Sequence, residues 1–320
     1  MATVARTPDS APTPVAIEDR TSAWPVRAAR AVAREIALLL RTPSGRIGLP
    51  LILIHVIIAT IGPMFAPYPH TEFHLEHRLE GPSADFLLGT DQFGRDLLSR
   101  VLSGASSIIA MSVIGSIFGL VIGTSIGIAS GYKGGMVDEI VMRIMDAFMS
   151  FPALLLALLV ATMAREWDFP VLSAQFEEKA FIVLTIAVVF IPRVARVLRS
   201  AALQIKELEF VQSARLRGEP GWYIVFREIL PNTAPVLGVE ASVRLSYAIL
   251  LAASLGFLGL GVQPPSPDWG RMIGESQQFI VTHPTYALVP AVGIATLVIG
   301  INLVADGLRE AHELPQETPQ

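Results

Sequence analysis

The sequence predicts an all-α integral membrane protein with about six transmembrane helices and both termini in the cytoplasm. Of its 320 residues, 52% are hydrophobic and 16% are charged, and the mean hydropathy is +0.54. Such values are typical of membrane proteins rather than globular enzymes. Several apolar runs reach the length of about 20 residues that a helix needs to cross about 30 Å of hydrocarbon.

Composition also excludes several classes of function. The absence of cysteine excludes disulfides, thiolate chemistry and a cysteine-based metal site. The net charge of -4 gives no indication of a nucleic-acid partner. Residues 1–24 are rich in Pro, Ala and Thr without the apolar core of a signal peptide, which predicts a disordered tail.

Residues 25–103 are predicted to form an N-terminal region. An arginine-rich stretch at 26–41 fits either a helix on the inner membrane surface or a solvated lead-in helix. A first span at 46–66 and a polar segment at 67–103 follow. Residues 104–310 form the predicted core, and residues 311–320 form a tail. The core spans are predicted at 104–130, 136–164, 180–198, 232–260 and 284–305.

The distribution of arginine and lysine predicts the orientation. These residues are concentrated in 1–46 and 193–227, whereas 67–103 carries more acidic than basic residues. Positive loops face the cytoplasm. The N-terminus and the 209–231 loop are therefore predicted inside, 67–103 outside, and the C-terminus inside after an even number of spans. The protein is expected to be a multi-pass protein of the cytoplasmic membrane.

Glycine recurs at every fourth position of the second predicted span. Small residues on one helix face permit close backbone contact in lipid. The stripe predicts tight packing against another helix, with helix sliding during gating as the alternative. The glycines are Gly115, Gly119, Gly123, Gly127 and Gly131.

Within this stripe, residues 123–127 (GTSIG) match the nucleophile-elbow pattern of serine hydrolases around Ser125. The elbow requires a strand, a sharp turn and a helix, whereas this match lies in an apolar run with no evident His/Asp pair nearby. A membrane enzyme acting through Ser125 is therefore a remote alternative. No phosphate-binding loop pattern occurs either, so any ATPase is expected to be a separate polypeptide.

Three histidines lie close together in the predicted outer segment: His70, His74 and His77. On a helix they would share a face and could bind a transition metal. Prolines just upstream oppose a helix, and scattered histidines in a solvated loop are the more common arrangement. The prediction is that no metal is bound.

The segment 209–231 (EFVQSARLRGEPGWYIVFREILP) is charged and amphipathic and lies between two long apolar runs. Helix formers predominate from 198 to 217, and Gly-Glu-Pro-Gly at 218–221 interrupts them. A second helix at 222–230, ended by Pro231, is predicted. Two short helices meeting at a sharp bend suit docking into a groove of a soluble partner. The alternative is a connector on the inner leaflet.

Four sequence blocks carry a resemblance to a known family. They are LGTDQFGRDLLSRVLSGAS (88–106), GYKGGMVDEIVMRIMDAFMSFPALLLAL (131–158), FVQSARLRGEPGWYIVFREILPN (210–232) and LGFLGLGVQPPSPDWGRMI (255–273). The chain resembles the C-type permease subunit of dipeptide/oligopeptide ABC importers over residues 45–310. The resemblance implies the transmembrane fold of type I ABC importers.

The resemblance assigns an ATPase-docking role to the 209–231 loop. The family's Glu-Ala-Ala triplet falls on Gln212, Ser213 and Ala214, and its glycine falls on Gly218. Its closing Leu-Pro is matched here too, and Glu209 begins the loop. The triplet departs from the family pattern at its first two positions, and Glu219-Pro220 replaces the small residues usual after the glycine. The closing pair is Leu230 and Pro231.

The resemblance also implies partners. They are a homologous B-type permease subunit, two P-loop ATPase subunits that bind ATP and Mg²⁺, an extracytoplasmic peptide-binding protein and membrane lipid, but no nucleic acid. This chain would have no catalytic residues and bind no cofactor itself. ATPase closure would draw the docking elbows together and switch the pathway between inward-open and outward-open states.

Alternatives remain at this point. The same fold could import nickel or another small solute. A secondary transporter would need acidic residues inside spans; Asp138, Asp146 and Glu240 lie near predicted span ends. The outer loop 261–270, with Trp269 suited to the membrane interface, could contact a binding protein, close the outer mouth or be a rigid turn.

Overall fold

The computed structural model of the protein describes residue 33 and residues 35–164 and 174–313. Within these ranges the chain is almost entirely helical, and an isolated bridge between Thr90 and Asp96 is the only β-type pairing. The predicted tail at 1–24, half of the lead-in at 26–41 and residues 165–173 and 314–320 lie outside the described residues. The helices are α1 (Pro43–Ile61), α2 (Leu97–Lys133), α3 (Gly135–Ser150), α4 (Ala153–Ala164), α5 (Ala174–Ile205), α6 (Glu209–Leu216), α7 (the consecutive stretches Gly221–Tyr223, Ile224–Ile229 and Leu230–Asn232), α8 (Ala234–Phe257), α9 (Trp269–Ser276) and α10 (Pro284–Glu313).

Five helical segments of the described chain are long and apolar enough to cross a membrane. A bent pair, α3 with α4, brings the number to six if the pair counts as one span. The predicted all-α membrane fold with about six spans is therefore confirmed. The five segments are Pro43–Phe65, Leu97–Lys133, Glu178–Ile205, Ala234–Phe257 and Pro284–Ala311.

The expectation of one continuous span at 136–164 is wrong. α3 and α4 meet at an angle of 96°, with the break at Phe151 and Pro152. Phe151 has extended backbone (φ -79°, ψ 136°). Proline disfavours helical geometry at the preceding residue and removes one N–H from the ladder. A hydropathy profile sums apolar residues and does not detect such a bend.

The second span begins earlier than the hydropathy predicts. α2 starts at Leu97, and the carboxylate of Asp96 accepts a hydrogen bond from the backbone N–H of Ser99 at 2.7 Å. This N-cap satisfies one of the free donors at the helix start. Roughly two turns of α2 before residue 104 therefore lie in the segment that was expected to be a loop. These turns carry Arg100, which belongs to the charged network described below.

The core is organised around the pairing of α2 with α5. The larger hydrophobic cluster joins α2 and α5 to α4, α8, α9 and α10. A smaller cluster lies at the other end of the α2–α5 pair, where Ile128 and Leu198 meet Val211 of α6 and Ile224 of α7. The two short helices of the elbow are thus attached to the same helix pair that crosses the membrane.

Candidate functional site

The 209–231 segment forms an elbow of two short helices, α6 and α7. The chain turns between them through Gly218, whose φ is +80°. The N–H of Gly218 donates to the carbonyl of Arg215, and the N–H of Glu219 donates to that of Ala214. This pair of bonds is a Schellman C-cap, which needs a left-handed residue at the position of Gly218.

Two details of the elbow differ from the sequence-based expectation. Helical geometry does not run unbroken from 198 to 217, because α5 ends at Ile205 and α6 begins at Glu209. Gln212 donates to the carbonyl of Lys206 at 3.3 Å across this break. The side chain of Gln212 therefore contacts the start of the elbow.

Pro231 does not end the second helix, contrary to expectation. α7 passes through a π-helical stretch, Ile224–Ile229, and the N–H of Leu230 donates to the carbonyl of Val225. Helical turns continue through Pro231 to Asn232. The wider π turn is a local adjustment that accommodates a proline without an N–H.

One face of the elbow is buried and the other is exposed. Ala214 of the predicted triplet is buried, whereas Glu209, Ser213, Gly218 and Pro231 are exposed. Gln212 and Leu230 are half-buried. Ala214 therefore packs the elbow against the transmembrane helices, and its two neighbours in the chain are exposed.

Three large apolar side chains that sequence reasoning missed dominate the exposed face. Leu216 is 89% exposed, Trp222 67% and Phe226 62%. Exposed large apolar side chains on a polar loop are typical of interaction surfaces. The spacing of Trp222 and Phe226 by four residues on a helix was the available signal.

The elbow is held against the turn between α2 and α3. The guanidinium carbon of Arg215 lies 5.2 Å from the ring centre of Tyr132, and the ammonium group of Lys206 donates to the carbonyl of Gly131 at 2.9 Å. Nearby, Arg199 of α5 forms a bidentate ion pair with Asp138 of α3, with both contacts at 2.6 Å. Such fork geometry fixes orientation as well as adding energy.

The glycine stripe of α2 faces α5 along its length. A Cβ added at Gly115 would lie 2.8 Å from the Cβ of Ile186, and one at Gly127 would lie 2.3 Å from the carbonyl oxygen of Ala195. Gly119, Gly123 and Gly131 meet α5 in the same way at 2.7–3.0 Å. The two backbones therefore approach so closely that a Cβ at Gly115, Gly123 or Gly127 would force a shift, and one at Gly119 or Gly131 would fit tightly.

The residues around Ser125 do not form a nucleophile elbow. They lie inside α2, and the Ser125 hydroxyl donates to the carbonyl of Val121 one turn earlier at 2.7 Å. This back-bonding is common for serine in membrane helices. A nucleophile elbow requires a strand, a sharp turn and a helix, whereas residues 123–127 are helical throughout.

The three histidines do not share a helix face, because Leu75–His77 is a short 3-10 turn. His77 pairs with Glu80 at 2.6 Å and His74 lies 3.7 Å from Glu72. Burial together with Arg100 and Arg95 lowers the pKa of His70. Among the described residues, no group of three His, Cys, Asp or Glu side chains is arranged to hold a metal ion.

A buried network of charges joins the outer segment to α9. Asp91 accepts hydrogen bonds from Arg95 at 2.6 Å and from Arg100. Both guanidinium groups lie 3.5 Å from the carboxylate of Glu275 on α9. The hydroxyl of Tyr286 on α10 donates to the same carboxylate at 3.2 Å. The segment expected to be an outer loop is thus bound to the transmembrane core.

Trp269, which was expected to suit the membrane interface, is buried inside the protein. Its side chain is buried in the main core, and the indole N–H donates to the carbonyl of Val101 at 2.9 Å. The preceding residue, Asp268, caps α9 by accepting from the N–H of Arg271 at 2.8 Å. Burial raises the pKa of Asp268 to about 6. The two ends of the 261–270 loop are therefore packed between helices, whereas Pro264 and Pro265 at its tip are exposed.

Comparison with known proteins places these features in a family. Residues 123–314 match the profile described as binding-protein-dependent transport system inner membrane component. A dipeptide transport system permease protein, DppC, of Alkalihalophilus pseudofirmus is 36% identical over 83% of this chain and 84% of its own length. A glutathione transport system permease protein, GsiD, of Pectobacterium atrosepticum is 38% identical over 81% and 83%.

A third relative and a solved structure agree with this placement. A putative peptide transport system permease protein of Brucella suis is 34% identical over 85% of this chain and 88% of its own length. The inward-facing MetNI methionine ABC transporter contains a chain of similar fold, with a TM-score of 0.53 at 22% identity. The match covers 66% of this chain and 95% of that one.

Proposed function

The chain belongs to the family of binding-protein-dependent transport system inner membrane components and is a permease subunit of an ABC importer, and we propose that it imports di- or oligopeptides. It is a multi-pass protein of the cytoplasmic membrane and a transport subunit rather than an enzyme. Support for a peptide cargo comes from the names of its relatives, which include a dipeptide permease and a peptide permease.

The elbow is proposed to be the docking site for an ATPase subunit, and its exposed apolar face carries this proposal. Leu216, Trp222 and Phe226 would enter a groove of the soluble subunit. The buried face of the same two helices packs on α2 and α5. A push on the exposed face would therefore reach the membrane helices without passing through a flexible segment.

The remaining partners follow from the family and complete the proposal. A homologous B-type permease would form the other half of the pathway. Two P-loop ATPase subunits would bind ATP and Mg²⁺, and an extracytoplasmic binding protein would deliver the peptide. Both termini and the elbow would face the cytoplasm, in agreement with the arginine and lysine distribution.

The proposed mechanism is rigid-body alternating access. ATPase closure would move the elbow, and the contact of the elbow with the turn between α2 and α3 would move α2. Since the glycine stripe holds α2 close to α5, the two helices would move as one unit. The chain's own residues transmit this motion, and ATP hydrolysis in the partner subunits supplies the energy.

The test is transport by the complete complex. The tagged chain is co-expressed with the second permease, the ATPase subunits and the binding protein. The complex is purified in mild detergent and reconstituted in proteoliposomes. ATP-dependent uptake of a labelled peptide would support the proposal. The peptide cargo would be refuted if the partners co-purify but the complex takes up no peptide of a mixed library and takes up another solute instead.

A further inference from the structure

Two arginines lie at least ten residues from either end of a membrane-crossing helix, Arg193 on α5 and Arg244 on α8, and Glu240 lies one turn before Arg244. Arg244 is ten residues from the start of α8 at Ala234, which places it about 15 Å along the helix axis. Charges at this depth are costly unless they are paired or face a polar space, and they commonly mark a transport path.

Glu240 and Arg244 form an ion pair one turn apart, with a contact of 2.7 Å. Their side chains are 12% and 13% exposed, so the pair is largely enclosed by protein but still open on one side. The guanidinium of Arg244 also lies 5.8 Å from the ring centre of Phe190 on α5. The pair is therefore directed into the α5–α8 contact rather than outward to lipid.

Arg193 lies one turn beyond Phe190 on the same face of α5. Its guanidinium donates to the backbone carbonyl of Val189 at 3.2 Å. Among the described residues, no carboxylate lies within 4.0 Å of it. The next arginine, Arg196, differs because it is paired with Asp146 of α3.

The three charges therefore sum to one excess positive charge in a region of low dielectric. A buried or half-buried guanidinium without a carboxylate partner is unfavourable, and an anion that reaches it is bound more strongly than in water. The excess charge requires either an anionic residue of another subunit or an anionic group on the molecule that passes through.

We propose that Arg193, together with the Glu240–Arg244 pair that contacts the same stretch of α5 at Phe190, forms a site that engages the carboxylate of the cargo during passage. This inference rests on the proposed peptide cargo, since peptides carry a terminal carboxylate. Arg193 supplies the uncompensated charge, and Arg244 presents its guanidinium to Phe190, three residues earlier on α5. Glu240 holds Arg244 in place and limits the net charge, so that the cargo is released rather than trapped.

The experiment compares two probes in proteoliposomes containing the whole complex: trialanine and trialanine C-terminal amide. The ratio of their uptake rates is measured for the wild type and for the variants Arg193→Gln, Arg193→Lys and Glu240→Gln. Any preference of the binding protein is the same in every assay and cancels when variants are compared with the wild type. Arg143→Gln, which removes an exposed ion pair with Glu139, is the matched control.

The expected result is a fall in the acid-to-amide ratio of about tenfold for Arg193→Gln, the size of one lost charge-assisted hydrogen bond. Arg193→Lys retains most of the ratio because it retains the charge. Glu240→Gln does not lower the ratio, since it removes a negative charge. Arg193→Gln leaves no buried carboxylate unpaired, so the variant is expected to fold and assemble.

A wild-type ratio in Arg193→Gln overturns the proposal. So does a loss of assembly with the second permease while the assembled fraction keeps the wild-type ratio, because the counter-charge would then belong to that subunit. A wild-type complex that takes up neither trialanine form nor any peptide of the mixed library contradicts the peptide cargo and with it the site assigned here.

Discussion

The guanidinium of Arg215 on α6 stacks on the ring of Tyr132, which lies in the last turn of α2, with 5.2 Å between the guanidinium carbon and the ring centre. On the other side of the bend, a Cβ added at Gly221 would lie only 3.2 Å from the same ring. Tyr132 therefore lies against both helices of the elbow. Movement of the elbow must displace the end of α2.

Replacing Tyr132 by alanine is expected to reduce coupling without preventing ATPase binding. The ring contributes packing and a cation–π contact of about 0.5–1 kcal/mol, but it is not part of the exposed apolar face. Peptide molecules transported per ATP hydrolysed should fall in reconstituted complexes, while the amount of co-purified ATPase stays the same. Tyr132→Phe keeps the ring and should behave as the wild type. A coupling ratio in Tyr132→Ala equal to that of the wild type would contradict this role.

Two glycines allow backbone strain to be separated from docking. Gly218 and Gly134 both have positive φ, and a Cβ at either would meet no atom within 4 Å. Alanine at Gly218, in the left-handed region, should cost about 1–2 kcal/mol. Alanine at Gly134, whose ψ of -166° lies in a region adopted almost only by glycine, should cost at least as much. Only Gly218→Ala is expected to weaken ATPase binding, measured by co-purification, because only Gly218 sets the bend of the elbow. The bulkier Gly218→Trp should abolish uptake while the permease still inserts. Equal losses of ATPase for Gly134→Ala and Gly218→Ala would contradict the assignment.

The glycine stripe predicts a graded loss of stability. Gly127→Ala would place a Cβ 2.3 Å from the Ala195 carbonyl oxygen, and the helices would have to separate at a cost of about 1–3 kcal/mol. The control, Gly238→Ala on α8, meets no atom within 4 Å and should be neutral or stabilising by up to about 1 kcal/mol. Thermal unfolding in detergent measures both. An unchanged melting temperature for Gly127→Ala would argue against tight α2–α5 packing.

The pKa of Asp268, raised to about 6 by burial, predicts a pH-dependent effect on stability. Between the unperturbed pKa near 4 and about 6, the folded protein binds the proton that the unfolded chain has lost. The contribution of Asp268 to stability therefore falls as the pH rises through this window and is constant above it. Asp268→Asn keeps an N-cap and removes the titration.

Asp268→Asn should therefore be stabilising relative to the wild type at pH 7, by up to about 3 kcal/mol, and should lose this advantage towards pH 4. Melting temperatures of the detergent-solubilised complex across this range provide the measurement. Asp306→Asn, at an exposed position of α10, serves as the control for general pH effects. A constant difference between Asp268→Asn and the wild type at all pH values would show that Asp268 does not titrate in this window.

Several features were predictable from sequence because their causes are local. The order of the spans follows from the length of apolar runs, and the bend at Gly218 follows from a glycine that can take a left-handed conformation. The stripe from Gly115 to Gly131 is periodic within one helix. The predicted docking loop at 209–231 could be located from sequence because its glycines and prolines act locally. Its exposed Leu216, Trp222 and Phe226 were not identified from sequence.

By itself, the sequence determined the membrane class, the approximate spans and the position of the elbow, since hydropathy, glycine and proline act over a few neighbouring residues. Only the tertiary structure decided that α3 and α4 bend apart, that Trp269 is buried, and that Tyr132 lies against the elbow. It also brought the Glu240–Arg244 pair against Phe190, one turn from Arg193 on α5. Each of these depends on packing between segments far apart in the chain, where burial and partners are set by which helix faces meet rather than by the local pattern.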